Sequence, residues 1–85
     1  MSDYQVRLTV TVQKKLDKLP DLISSKLINA IQQLSANPRP SGYKKLKGQD
    51  GYRIRVKDYR IIYLLKEYLL VVLVLDVGHR KDIYR

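Results

Sequence analysis

Two strands and the tight turn between them can be read in Tyr52-Arg53-Ile54-Arg55-Val56-Lys57-Asp58-Tyr59-Arg60-Ile61-Ile62-Tyr63. Residues 52–56 alternate apolar and basic side chains, which is typical of a strand with one covered face. Residues 59–65 form a second run that is rich in β-branched and aromatic side chains. The short polar break at residues 57–58 predicts an antiparallel hairpin between the two runs.

The length of the turn predicts the register of this hairpin. If Val56 pairs with Tyr59, Arg55 lies directly opposite Arg60, and both share one face of the sheet with Arg53. Like charges that face each other across strands cost about 0.2–1 kcal/mol. A phosphodiester would offset this repulsion, because a guanidinium group matches its oxygens. The same arginines could also form a solvated charged face, and the pattern alone does not decide between the two.

The first half of the chain predicts one strand followed by two helices. Residues 4–9 alternate apolar and polar side chains, as in a half-buried strand. From about Thr11 the apolar residues recur at helical spacing, which indicates a short amphipathic helix. Pro20 suits the first turn of a second helix. That helix runs to about Ser35, because the residue before a proline avoids helical geometry and Asn37-Pro38 follows.

Two further segments complete the predicted architecture. Residues 39–49 contain proline and glycine among basic residues without a sustained period, so we expect a connecting loop. Residues 69–77 are apolar on both faces apart from Asp76, which is typical of a central strand. The fold class is therefore α+β, with two layers, in which a helical hairpin packs on a four-stranded antiparallel sheet (β-α-α-β-β-β). We expect a single domain over residues 1–85, because so short a chain cannot build a second core.

The charge of the chain predicts a polyanionic partner. Seventeen Lys and Arg residues against eight Asp and Glu give a formal net charge of +9, and most of this excess lies in residues 39–60. Nucleic acid is the leading candidate, and an anionic membrane or an acidic protein is the alternative. With no cysteine and one histidine, we expect no protein-built metal site and no cofactor. The chain has no apolar run long enough for a signal or a membrane span, so we expect a cytoplasmic protein.

Four segments of the second half, taken in order, carry a resemblance: Lys45-Leu46-Lys47-Gly48, Gly51-Tyr52-Arg53-Ile54-Arg55-Val56, Tyr59-Arg60-Ile61-Ile62-Tyr63 and Val77-Gly78-His79-Arg80-Lys81-Asp82-Ile83-Tyr84. As an ordered set they resemble the RelE toxins of the RelE/ParE superfamily. The resemblance implies a toxin of a type II toxin-antitoxin system. It implies a ribosome-dependent endoribonuclease that cuts mRNA without a metal, by attack of a 2′-hydroxyl on the adjacent phosphate.

The partners that the resemblance implies are mRNA, the 70S ribosome and a cognate, RelB-like antitoxin. An acidic antitoxin with apolar segments would fold onto the toxin and neutralise its basic face in a hetero-oligomer. Such a partner can be removed by proteolysis, because it is ordered only in the complex.

The resemblance also assigns catalytic roles to individual residues. Arg60 and Arg80 fall at the arginines that stabilise the charge on the phosphate, and Tyr84 falls at the C-terminal tyrosine that contacts the scissile nucleotide. Arg53 and Arg55 fall where well-known relatives carry lysines, one of them proposed as the general acid. Arginine keeps its proton, so the acid is another group or catalysis rests mainly on charge and positioning.

A second set of residues is expected to contact RNA or the ribosome: Lys44, Lys45, Lys47, His79 and Lys81. The lysines of residues 44–47 suit the RNA backbone, although a solvated basic loop explains them equally well. His79 is the one side chain whose unperturbed pKa is near neutrality. Together with Tyr84 it is a candidate for the missing general acid.

Two other functions remain open. A ParE-like protein would share the fold and inhibit DNA gyrase without nuclease chemistry. A nucleic-acid-binding relative without activity is the third reading. The arginines favour the nuclease, because a ParE-like chain does not need to keep this cluster.

Overall fold

The computed structural model describes residues 3–48 and 50–79, and there two helices cover one face of a five-stranded sheet. In chain order the elements are strand β1 (Gln5–Leu8), helices α1 (Val10–Lys18) and α2 (Asp21–Gln33), and strands β2 (Lys44–Lys45), β3 (Tyr52–Val56), β4 (Tyr59–Lys66) and β5 (Val71–His79). A short 3-10 turn at Glu67–Leu69 joins β4 to β5. The predicted α+β class with two layers is confirmed.

The sheet corrects the prediction in strand number and in the direction of one strand. Among the described residues its order is β1-β5-β4-β3-β2, and β1 runs parallel to β5 while the other neighbours are antiparallel. The sheet is therefore mixed and five-stranded instead of antiparallel and four-stranded. The extra strand, β2, lies inside the segment expected to be a connecting loop, because two residues are too few to show a period.

The register of the β3–β4 hairpin is the one that the sequence predicts. Val56 lies opposite Tyr59, and Arg55 lies opposite Arg60. Lys57 is the first residue of the two-residue turn, and its φ of 55° is in the left-handed region. Lysine thus takes a conformation that two-residue hairpins usually give to glycine or asparagine.

The helices are held in place by a cap and by the core. Thr9 is the N-cap of α1, and its Oγ1 accepts a hydrogen bond of 3.2 Å from the backbone N–H of Val12. The core lies between the helices and the sheet and consists of Val12, Leu16, Leu27, Ile31, Leu34, Ile54, Ile61, Tyr63, Val72, Val74 and Val77. Within the described residues, neither helix is both long and apolar enough to cross a membrane.

Tyr63 is the largest fully buried side chain of this core. Its hydroxyl donates a hydrogen bond of 2.6 Å to the carbonyl oxygen of Pro38, in the loop after α2. Its ring stacks on Tyr52, with 5.7 Å between the ring centres. Burial raises the pKa of Tyr63 to about 12, because the charged phenolate is poorly solvated there. The hydroxyl therefore stays protonated, and its hydrogen bond connects the loop after α2 to the sheet.

Candidate nucleic-acid interface

The face of the sheet opposite the helices carries the basic side chains of β3 and β4. Ile54 and Ile61 belong to the core on the helix side, so their neighbours along each strand point the other way. This places Arg53, Arg55 and Arg60 together on the open face, and we call these three residues the arginine cluster. The structure thus brings together the three described members of the predicted catalytic set.

Arg60 differs from the other two members of the cluster in its burial. It lies on the third strand in the order of the sheet, between Arg55 of β3 and Gly78 of β5. Arg60 is only 6% exposed, whereas Arg55 is exposed and Arg53 is half-buried. Sequence patterning predicts the face on which Arg60 lies but not this depth. A buried guanidinium acts on a bound anion more strongly than an exposed one, because water screens it less.

Lys44 extends the basic surface beyond the cluster. It pairs with Arg53 across the β2–β3 ladder, so it lies on the same face. A cavity of about 360 Å³ opens beside this pair and is lined by Ser41, Gly42, Lys44, Arg53, Ile54 and Arg55. Within the described residues this lining has three cationic side chains and no carboxylate, and we call it the basic pocket.

Lys45 and Lys47 lie apart from the cluster. Lys45 pairs with Tyr52, and its ammonium nitrogen lies 6.0 Å from the centre of the Tyr52 ring. Tyr52 packs against the core on the helix side, so Lys45 is on the face away from Arg53. Lys47 is exposed in the loop that follows β2. Of the three lysines predicted to contact RNA in this segment, the structure brings only Lys44 to the cluster.

His79 also lies away from the arginine cluster. It pairs with Tyr59, and the two rings make an edge contact with 5.6 Å between their centres. Tyr59 packs against the helix-side core, so His79 is on that side, while its neighbour Gly78 pairs with Arg60. The structure therefore does not bring His79 to Arg55 and Arg60. The other predicted site residues, Arg80, Lys81 and Tyr84, lie outside the described residues.

Sequence reasoning missed a second polar constellation, at the end of the hairpin remote from its turn. Arg39 makes a 2.6 Å ion pair with Glu67 and donates a hydrogen bond of 3.3 Å to the hydroxyl of Tyr52. The bonds to Glu67 and Tyr52 raise the pKa of Arg39 above its usual value. A cavity of about 380 Å³ beside them also includes Lys45 and Asp50. Its charges are of both signs, in contrast to the basic pocket.

The arginine cluster supplies positive charge but no group that transfers a proton. Guanidinium groups keep their protons in proteins, so they bind and polarise a phosphate without acting as acid or base. Among residues 3–48 and 50–79, no three His, Cys, Asp or Glu side chains lie together where they could hold a metal ion. The arrangement can therefore bind a phosphodiester and stabilise additional negative charge on it.

Comparisons with known proteins agree with one another. Residues 6–84 match the family described as "ParE toxin of type II toxin-antitoxin system, parDE". The chain is 34% identical over 84 residues to Toxin RelG of Mycobacterium tuberculosis, which covers 96% of this chain and 97% of that protein.

Solved toxin-antitoxin complexes contain chains with a similar fold. A chain of the RelBE2 complex of Mycobacterium tuberculosis superposes with a TM-score of 0.82 and 32% identity, over 96% of this chain and 97% of that one. A chain of the archaeal RelE-RelB complex of Pyrococcus horikoshii OT3 gives a TM-score of 0.82 and 30% identity, over 92% and 96% of the two chains. For the RelBE complex of E. coli the TM-score is 0.78 and the identity 26%, over 89% and 95%.

Proposed function

Because this chain belongs to the ParE toxin family of type II toxin-antitoxin systems, as a RelE-type member of the RelE/ParE superfamily, we propose that it is a ribosome-dependent mRNA endoribonuclease. It cuts mRNA in the decoding site and so inhibits translation. The observation that carries this proposal is the arginine cluster, in which the buried Arg60 lies opposite Arg55 on the open face of the sheet. A like-charged pair at this position suits a phosphodiester, which offsets the repulsion between the two side chains.

In the proposed reaction Arg55 and Arg60 bind the oxygens of the scissile phosphate. The 2′-hydroxyl oxygen of the preceding nucleotide attacks the phosphorus, the bond from phosphorus to the 5′-oxygen breaks, and a 2′,3′-cyclic phosphate and a 5′-hydroxyl remain. The proton lost by the 2′-hydroxyl and the proton gained by the 5′-oxygen balance each other. Negative charge builds on the phosphate oxygens in the transition state, and the two guanidinium groups stabilise it.

Proton transfer in this reaction falls to a residue outside the cluster. Arginine cannot supply or accept the proton, and His79 lies on the helix side of the sheet. We assign the transfer to Tyr84, in the segment that follows β5, and a further share of the charge stabilisation to Arg80. The role of Arg80 and the contact of Tyr84 with the scissile nucleotide rest on the resemblance to the RelE toxins, whereas proton transfer is assigned to Tyr84 because His79 lies on the other side of the sheet.

The remaining predicted residues suit the ribosome rather than the scissile bond. His79 lines a cavity of about 280 Å³ with Lys15 and Lys18 of α1, so the helix side has cations of its own. Lys45, Lys47 and Lys81 add to them in the proposed contact with ribosomal RNA. Binding of this kind is dominated by phosphate contacts and is weakened by salt.

The proposed partner is a small acidic antitoxin of the RelB type, in a cytoplasmic hetero-oligomer. The support comes from the similar chains solved as RelBE2 and RelE-RelB complexes and from the net charge of +9. Half-buried Ile62 and Leu64 lie on the same side of β4 as Arg60. An acidic segment with apolar side chains would cover these residues together with the cluster.

Translation-coupled cleavage tests the proposed activity. Purified protein is added to programmed ribosomes, and the 3′ ends of the mRNA are mapped. We expect cuts in the decoding site, and we expect Arg55→Ala to lower the cleavage rate by about 10²-fold or more, as for loss of one charge-stabilising group. Arg7→Ala is the matched control, because Arg7 is an exposed arginine on β1. Arg55 is itself exposed, so its replacement is expected to leave the fold intact.

Intact mRNA in the presence of folded protein would contradict the ribonuclease and favour inhibition of DNA gyrase. Gyrase inhibition is the second candidate function because the description of the matching family names the ParE toxin. A supercoiling assay with purified gyrase is the direct measurement. If the protein neither cuts mRNA nor inhibits gyrase, binding to nucleic acid without activity is the remaining function.

A further inference from the structure

Two like-charged pairs lie next to each other on the open face of the sheet. Lys44 pairs with Arg53 across the β2–β3 ladder, and Arg55 pairs with Arg60 across the β3–β4 ladder. Because Arg53 and Arg55 are two residues apart on one strand, the pairs are offset by about 6.8 Å along it. This offset is close to the separation of successive phosphates in an extended single strand of RNA. One bound anion would lie beside only one of the pairs, whereas the two pairs together suit two successive phosphates.

The basic pocket supplies the space for the second anion. Its six lining residues include three cations, and the described part of the chain contributes no carboxylate to it. Gly42 has a φ of 87°, and a Cβ placed on it would meet no heavy atom within 4 Å, so the loop side of the pocket is open. The hydroxyl of Ser41 adds a neutral hydrogen-bond donor to the lining. By contrast, the cavity beside Tyr52 contains the carboxylates of Asp50 and Glu67.

We propose that the basic pocket binds the mRNA phosphate adjacent to the one that is cleaved, with Lys44 and Arg53 as positioning residues. The proposal rests on the ribonuclease function and adds a second subsite to it. Arg55 and Arg60 then act on the scissile phosphate, and the Lys44–Arg53 pair sets which bond of the strand reaches them. A substrate with two successive phosphates is therefore held better than a substrate with one.

Short oligonucleotides test this subsite without the ribosome. The dinucleotide UpU has one phosphodiester, and the trinucleotide UpUpU has two. A single phosphate site would favour UpUpU by a factor of about two, because either phosphate could occupy it. We expect UpUpU to bind to the wild-type protein about tenfold more tightly than UpU, as measured by competition with a fluorescent RNA, since it gains a further charge-assisted contact.

The chain offers a matched control for Lys44. We expect Lys44→Ala to lower the UpUpU:UpU affinity ratio to about two, and Lys44→Arg to keep it high, because arginine retains the charge. Lys14→Ala removes an exposed lysine of helix α1, on the opposite side of the sheet from the basic pocket, and it should leave the ratio unchanged. Both residues are exposed, and urea unfolding of each variant checks that the fold is intact.

The outcomes separate this proposal from the ribonuclease function. A ratio of about two in the wild-type protein, or equal effects of Lys44→Ala and Lys14→Ala, overturns the second subsite even if mRNA is cut. A high ratio that only Lys44→Ala abolishes supports the subsite even if mRNA stays intact. Competition with inorganic phosphate distinguishes the source of the anion. If inorganic phosphate displaces UpUpU at concentrations as low as those at which UpU displaces it, the pocket is a general anion site, and the proposal of an RNA subsite fails.

Discussion

Replacing Tyr63 with phenylalanine removes one buried hydroxyl and keeps the stacked ring. The hydroxyl donates a 2.6 Å hydrogen bond to the carbonyl oxygen of Pro38, and the Tyr63 side chain is 0% exposed. The variant leaves this part-buried carbonyl oxygen without its hydrogen-bond donor. Loss of one buried hydrogen-bond partner costs about 1–3 kcal/mol. We therefore expect Tyr63→Phe to lower the free energy of unfolding by about this amount at pH 8.

The same replacement is expected to destabilise the protein less at alkaline pH. Burial raises the pKa of Tyr63 to about 12 from its ordinary value of 10.0, which applies to the unfolded chain. The folded state thus disfavours the phenolate, so the stabilisation is complete below pH 10 and is lost as the pH rises from 10 to 12. At pH 11 the wild-type protein has lost about 1.4 kcal/mol through this one group. The phenylalanine variant has no phenol to ionise and does not share the loss.

Urea unfolding at pH 8 and pH 11, followed by circular dichroism, measures both effects. The stability difference between the wild-type protein and Tyr63→Phe should shrink by about 1.4 kcal/mol from pH 8 to pH 11. Other groups ionise equally in both proteins and cancel in the difference. Tyr68→Phe is the control, because Tyr68 is fully exposed and its loss should change the stability by less than about 0.5 kcal/mol at either pH. A difference that stays constant with pH would refute the buried neutral phenol.

Two further predictions concern the core and the helix cap. Leu27→Ala should lower the free energy of unfolding by about 2–5 kcal/mol, because Leu27 is 0% exposed. Leu22→Ala should change it by less than about 0.5 kcal/mol, because Leu22 is 71% exposed. Equal urea midpoints of the two variants would contradict the placement of the core. Thr9→Ala should cost about 1 kcal/mol, because the N–H of Val12 loses its capping oxygen, and Thr9→Ser should restore most of it; an unchanged midpoint for Thr9→Ala would mean that the cap contributes nothing.

The β3–β4 hairpin illustrates what a local pattern can predict. A period of two tells which face of each strand is covered, and a two-residue break leaves little freedom in the pairing. The opposition of Arg55 and Arg60 could therefore be predicted from the sequence and is confirmed in the structure. The shared face of the arginine cluster follows from the same two facts.

The features that the sequence did not predict depend on neighbours far along the chain. The pairing of Val6 with Val72 is parallel, and the alternation of a strand does not show in which direction its neighbour runs. The depth of Arg60 depends on the strands on both sides of it. The side on which His79 lies depends on the β4–β5 register, which a bulge between Ile62 and Tyr63 shifts. Such a bulge has no clear signature in a single sequence.

Strand β5 has a consequence for the synthesis of the protein. It is the last of the described strands to be made, yet it lies between β1 and β4 and supplies Val72, Val74 and Val77 to the core. Until residues 71–79 have been translated, β1 has no neighbouring strand in the sheet, and Arg60 lacks one of its two flanking strands. Contacts between segments so far apart in the chain also slow folding. The complete sheet, with both strands that flank Arg60, therefore cannot form before residues 71–79 have been synthesised.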